Sequence, residues 1–299
     1  MHKPGDTMDT GAIHERLQRA GYVPDEGLAS VLWLAEAIER PLLLEGDAGV
    51  GKTSVAGAYA NATGRRLVRL QCYEGLDLQQ AVYEWNYGRQ LLAIRRHETG
   101  AAQGLADDHA LFQRDFLLER PLLQAITSPA PCVLLIDEID RADEAFEAYL
   151  LEVLAEYQIT VPEIGTLKAK TIPLVLVTSN GTRELSDALR RRCLYHFLDY
   201  PDLAREMEIV KTTLPDASMR LVKEAVALIH RLRKEDLQKV PGIAETLDWI
   251  RALHKLEWRA LPEDAEMILR TLACVLKTKD DRWQVTSETV DRLRSAASP

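Results

Sequence analysis

Short apolar runs punctuate the chain between residues 41 and 200, at 41–45, 67–72, 132–137, 174–179 and 194–198. Several are apolar at every position rather than at alternate ones, the pattern of parallel strands covered on both faces. Helical periodicity fills the spaces between them. In 144–157, Phe146, Tyr149, Leu150, Val153, Leu154 and Tyr157 fall at i, i+3, i+4, i+7, i+8 and i+11, one apolar stripe. Residues 27–40 predict a helix ahead of the first strand. Strands alternating with helices predict a doubly wound α/β domain with a five-stranded parallel core. Beyond Tyr200-Pro201 the period changes. Residues 218–233, 245–258, 263–277 and 286–295 all read as helices, and no convincing strand run remains. The expected organisation is an N-terminal segment (1–26), an α/β domain (27–201) and a smaller all-helical domain (202–299).

Composition narrows the function without choosing it. The chain has 299 residues, 46% of them hydrophobic and 28% charged, ordinary values for a globular protein. Its 37 Lys and Arg against 46 Asp and Glu leave a formal charge of −9. That balance argues against charge-driven nucleic-acid binding, which needs a basic face. Cys72, Cys132, Cys193 and Cys274 lie far apart, without a CxxC or a histidine at ligand spacing, so neither a disulfide framework nor a zinc site is expected. The first ten residues are polar, no secretory signal is visible, and no apolar run approaches the ~20 residues that span a bilayer. A cytoplasmic protein without a membrane partner is the expectation.

The chemistry begins at the first strand. Gly46-Asp47-Ala48-Gly49-Val50-Gly51-Lys52-Thr53 matches G-x-x-x-x-G-K-[ST] in full. Glycines let backbone N–H groups turn inward around a phosphate, Lys52 reaches the β- and γ-phosphates, and the Thr53 hydroxyl holds Mg2+. A helix from about Lys52, with Ser54 in its first turn, points its positive end at the anion. The motif needs an apolar strand before it and a helix after it, and both are predicted. The third strand then runs straight into Asp137-Glu138. Carboxylates at the C-terminal edge of a parallel sheet stand where ligands bind. Asp137 can hold Mg2+ through its waters, and Glu138 can orient and deprotonate an attacking water. The competing reading is a helix start that favours acids. Asn180, after the fourth strand, reads equally as a γ-phosphate ligand or as a turn residue before Gly181. Arg190, Arg191 and Arg192 close a helix before the fifth strand, where cations are favourable in any case.

Together these residues resemble an AAA+ ATPase. More narrowly, Ile136-Asp137-Glu138-Ile139-Asp140-Arg141-Ala142 and Thr178-Ser179-Asn180-Gly181 are similar to the MoxR branch. The stretches Gly21-Tyr22-Val23-Pro24-Asp25-Glu26-Gly27 and Leu42-Leu43-Leu44-Glu45-Gly46 resemble its CoxD-like members. The resemblance covers residues 20–260. It implies that Gly46 to Thr53 form Walker A and that Asp137 and Glu138 form Walker B, with Glu138 as catalytic base. It also implies Asn180 as sensor 1 and Arg192 as an arginine finger acting in trans, with Arg191 as runner-up. ATP and Mg2+ follow as cofactors, and a hexameric ring as the assembly. A client protein, and often a partner with a von Willebrand A domain, complete the picture. CoxD-like members are associated with maturing the copper–molybdenum site of carbon monoxide dehydrogenase. One departure stands out. The family's sensor 2 arginine belongs near 242–246, where this chain has Ile243-Ala244-Glu245. Either Arg251 substitutes, or the lid senses nucleotide without that cation.

Two segments are candidates for client contact. Residues 73–120 exceed a plain helical crossover and contain Tyr83-Glu84-Trp85-Asn86-Tyr87 and a polar stretch, 95–109. Those aromatics either grip a client from a mobile loop or are simply packed. Residues 158–171 read as a hairpin. Cys193 and His196 read as core residues. The expected function is Mg-dependent ATP hydrolysis coupled to remodelling or maturing a client. The alternatives are a nucleic-acid motor or loader, and a GTP-driven subunit of the methyl-specific restriction type.

Overall fold

A computed structural model describes residues 10–98 and 111–295, with the side chains of 96–98 outside that description. Most of the polar stretch 95–109 therefore lies outside the described residues. The described chain divides into two compact units. One collects 10–16, 26–45 and 56–197; the other collects 17–25, 46–55 and 198–295.

In the first unit the five expected strands are Leu42–Glu45 (β1), Arg66–Gln71 (β2), Cys132–Asp137 (β5), Leu174–Ser179 (β8) and Leu194–Phe197 (β9). They pair in the order β2-β5-β8-β1-β9, all parallel, with Leu43 opposite Val177 and Ile136 opposite Val177 on the other side. The central strands β5 and β8 are buried at every position. That burial explains their unbroken apolar sequence, since helices cover both faces. Strand β9 is an edge: Tyr195 and Phe197 are exposed and His196 is half-buried, while Cys193 is buried as expected. His196 escapes the core because only one neighbour strand flanks it.

Two small antiparallel pairs decorate the sheet. Tyr83–Trp85 (β3) pairs with Leu117–Glu119 (β4), and Gln158–Val161 (β6) pairs with Gly165–Lys168 (β7), the hairpin expected from sequence. Helix Glu144–Glu156 is capped by Asp143, whose carboxylate accepts from the Phe146 N–H at 2.8 Å. It ends where Tyr157 turns left-handed, with its hydroxyl donating to the Glu39 carbonyl at 2.9 Å.

The C-terminal part of the second unit is helical, as expected: Leu203–Thr213, Met219–Leu232, Ile243–Lys255, Ala265–Thr271, Lys279–Gln284 and Ser287–Ser295. The expected helix 263–277 is shorter, ending in a tight turn at Leu272–Cys274. In helix Met219–Leu232, Leu221, Val222, Ala225, Leu228, Ile229 and Leu232 form a buried stripe in the same core as Trp249. All four cysteines are free thiols. Among the described residues, no helix is long and apolar enough to cross a membrane.

Candidate active site

In the second unit, residues 46–51 loop into helix Lys52–Thr63. A Cβ at Gly46 would collide with the Leu198 carbonyl oxygen, so the loop's start admits only glycine. Gly49 holds φ at +85°, a left-handed geometry that other residues adopt at a cost. Lys52 is buried, and its Nζ donates to the Gly46 and Asp47 carbonyls at 2.6 and 2.7 Å. The ammonium thus sits inside the loop's curve, where it would meet an anion's charge. Thr53 and Ser54 are exposed in the first helical turn, and Ala48 and Asp47 are exposed on the loop. Val50 is buried.

Helix Ile243–Lys255 meets this loop with its N-terminus. The Ile243 N–H donates to the Gly49 carbonyl at 3.0 Å. The Glu245 carboxylate accepts from the Gly242 N–H at 3.0 Å, the half of a capping box that a glycine N-cap allows. Arg251, one answer to the missing sensor 2 cation, is exposed and paired with Asp248 at 2.6 Å. A helix N-terminus, positive by its aligned peptide dipoles, therefore stands at the loop without an arginine. Contact at this point leaves no room for a side chain. A Cβ at Gly242 would come within 2.8 Å of Gly49 Cα and 3.0 Å of its carbonyl oxygen. Gly242→Ala should therefore displace the helix and weaken nucleotide binding about tenfold, the scale of one or two lost hydrogen bonds. A fluorescent-nucleotide titration checks it.

Beside the loop lies a cavity of ≈ 130 Å³ whose lining includes Tyr22, Val23, Val50, Ile209, Ile243 and Leu247. Arg205 fixes the strap that carries Tyr22 and Val23, donating to the Val23 carbonyl at 3.2 Å and facing Asp25 at 4.0 Å. Burial pushes the Tyr22 phenol up, so it stays neutral. A mostly apolar recess next to a phosphate loop is the kind of surroundings that suits a nucleobase. Sequence reading did not find it, because its wall comes from segments more than 200 residues apart.

The first unit carries the acidic end of β5. Asp137 is buried; its Oδ1 accepts from Thr178 Oγ1 at 2.6 Å and its Oδ2 pairs with Arg69 at 2.5 Å. Glu138 adopts φ +56°, strained for a non-glycine residue, and its N–H donates to the same Thr178 oxygen at 2.9 Å. A short 3-10 turn, Ile139–Arg141, begins directly after Glu138, which holds its N-cap position without a side-chain cap hydrogen bond. The backbone turns left-handed to aim the carboxylate off the strand end. There its Oε2 accepts from Arg141 Nε at 2.8 Å and Gln71 Nε2 at 3.2 Å. Gln71, Arg69 and Thr178 were missed in sequence; each sits on a strand neighbouring β5 and reaches across.

Asn180 follows β8, half-buried. Asp140 organises its turn, accepting from the Thr182 N–H at 3.1 Å and hydroxyl at 2.6 Å. Burial pushes the Asp140 carboxyl up, but hydrogen bonds from Thr182 and from the Asn180 and Asp140 backbone outweigh it, so the net shift is downward. Helix Asp187–Arg192 ends with three arginines in different company. Arg190 pairs with Glu45 at the end of β1 at 3.3 Å. Arg192 is exposed and donates to the Leu151 carbonyl, and the carbonyls of exposed Arg191 and of Arg192 both accept from Arg40.

Each unit carries an oxygen donor suited to a hard divalent cation, the Thr53 hydroxyl in one and the Asp137 carboxylate in the other. Mg2+ is commonly held by one or two carboxylates or hydroxyls together with phosphate oxygens and water, and Thr53 and Asp137 are of that kind. Comparison with known proteins bears on the family and the fold. A family model described as AAA domain (dynein-related subfamily) matches residues 41–193. Protein NorQ of Paracoccus denitrificans is 27% identical over 228 residues, 73% of this chain and 75% of that protein. Gas vesicle ATPase GvpN1 of Halobacterium salinarum is 26% identical over 207 residues, 66% of this chain and little more than half, 57%, of that protein. The solved structure of a RuvB mutant from Thermotoga maritima shares the fold, with 18% identity and a TM-score of 0.50 over 93% of this chain and 72% of that one. With just over half of its length matched by the family model, the chain belongs to the AAA domain family, dynein-related subfamily, and is a P-loop ATPase.

Proposed function

We propose that this ATPase is of the MoxR type: it assembles as a ring, hydrolyses Mg·ATP and uses the lid to remodel or mature a client protein. The observation that carries the reading is the Asp137-Glu138 pair, clamped by Thr178 at the end of a buried strand, in a chain with a complete phosphate loop. Lys52 binds the phosphates, with the loop amides of 46–54. Thr53 and Asp137 hold Mg2+, which screens phosphate charge when bound. Glu138 takes the proton of the attacking water, Asn180 orients it, and Arg192 reaches a neighbouring subunit's nucleotide. AAA+ ATPases commonly form such rings. The stretches 21–27 and 42–46 support a CoxD-like member, serving metal-cofactor insertion into an enzyme such as carbon monoxide dehydrogenase. A von Willebrand A domain protein is the partner this type implies. The lid-helix N-terminus serves as sensor in place of an arginine.

Solution mass tests the ring. With hydrolysis blocked by Glu138→Gln, Mg·ATP should shift the protein from 33.6 kDa to a hexamer of about 200 kDa. A mass that stays monomeric would overturn the assembly and leave Arg192 with no neighbour to act on.

A further inference from the structure

The aromatics of residues 83–87 have divided fates. Trp85 is buried, edge-on to Tyr83 (6.1 Å, 76°) and to Phe112 (5.2 Å, 89°). Tyr83 is half-buried, and Tyr87 is 63% exposed. They wall a groove of ≈ 420 Å³ whose other sides are Tyr149, from helix Glu144–Glu156, and Glu163, from the turn of the β6–β7 hairpin. Three tyrosines, drawn from three separate elements, thus face one space.

The wall is rigid. Pairing of β3 with β4 places Tyr83 opposite Glu119 and Trp85 opposite Leu117, Asp143 caps the helix that carries Tyr149, and the Ile164 N–H closes the hairpin turn on Val161 at 3.0 Å. Its charge has one sign. Glu84 is already matched by Arg120 at 2.6 Å. Glu163 is exposed and makes no ion pair among the described residues. Burial, then the charge of Glu163 and then the neighbouring Tyr87, push the Tyr83 phenol up. Burial, then Glu152, raise Tyr149 to about 12, so both rings stay neutral and keep their electron-rich faces.

Neutral aromatic faces and an unmatched carboxylate around one recess are the chemistry that holds an organic cation. We propose that this groove binds the cationic side chain of a lysine or arginine in an extended segment of a client protein, between the faces of Tyr83, Tyr87 and Tyr149 and against the carboxylate of Glu163. Both segments singled out for client contact, 73–120 and 158–171, supply walls. The proposal deepens the remodelling reading by giving its client a chemistry. The contact itself needs neither nucleotide nor ring.

The test is anisotropy titration of a short fluorescein-labelled Gly/Ser/Pro peptide with a central arginine, at low salt and without nucleotide. Matched peptides carry leucine or glutamate at the same place. The arginine peptide should bind at least about fivefold tighter than the leucine peptide and lose affinity as salt is raised. Glu163→Gln and Tyr87→Ala, both at exposed positions, should each weaken it about three- to tenfold with unchanged melting temperature. Equal binding of the leucine peptide would make this an apolar docking groove and overturn the proposal. So would failure of the arginine peptide to bind, or affinity unmoved by both variants. None of these readouts depends on hydrolysis, so their failure is separate from that of the ATPase assignment.

Discussion

Replacing Glu138 by glutamine should lower ATP turnover about 10²- to 10⁴-fold, the range assigned to a positioned general base. That corresponds to roughly 3–5 kcal/mol of lost transition-state stabilisation. Glutamine keeps the size and the hydrogen bonds of the side chain but cannot take the water's proton. Nucleotide affinity should hold, because the phosphate loop lies elsewhere in sequence and keeps Lys52 in its curve. Phosphate release and fluorescent-nucleotide binding, measured on one preparation, separate the two effects. Turnover near the parent rate would move the base to another residue. In this structure the Glu138 carboxylate is occupied by Arg141 and Gln71. Both contacts fall on Oε2, so Oε1 can take the water's proton while they hold.

The second large effect is on stability. Glu206 is completely buried in the helical region, and its two oxygens take a fork from Arg233 at 2.6 and 2.7 Å and a hydroxyl from Thr246 at 2.8 Å. Arg233 is also held by the Pro241 carbonyl at 2.8 Å and lies 5.1 Å from the Tyr200 ring centre. Removing one partner of such a pair strands the other charge in an apolar setting, at about 3–5 kcal/mol. Glu206→Ala should therefore lower the melting temperature by roughly 10 °C. Glu206→Leu combined with Arg233→Met should recover much of that loss, since no buried charge is then left unmatched. A double variant as unstable as the single one would mean that the pair is needed for the packing itself. Thermal unfolding followed by circular dichroism decides between them.

Neither group was visible as a site beforehand. Glu206 lies in a polar-looking segment, and helix Leu203–Thr213 was absorbed into a general expectation of helices after residue 202. The short pairing of β3 with β4 was equally hidden, because strands of three residues carry no readable period and their partners are about thirty residues apart. By contrast the sheet strands and helix Glu144–Glu156 stand within a residue of their sequence expectations, and the β6–β7 hairpin starts where expected and ends three residues early. Each of those is long enough, or bounded sharply enough by turn residues, for its period to show.

The phosphate loop, the acid pair and the fold class were determined by sequence alone, since each depends on contiguous residues and on backbone geometry that a local pattern dictates. The glycines of the loop and the apolar strand before Asp137 carry their structural requirement in their own order. Only the tertiary structure decided what surrounds them. It put Thr178, Arg69 and Gln71 beside the acid pair, Gly242 against Gly49, and three tyrosines around one groove. Such neighbours are selected by strand order and helix docking, which bring distant residues within a few ångströms and leave no periodic trace in the chain.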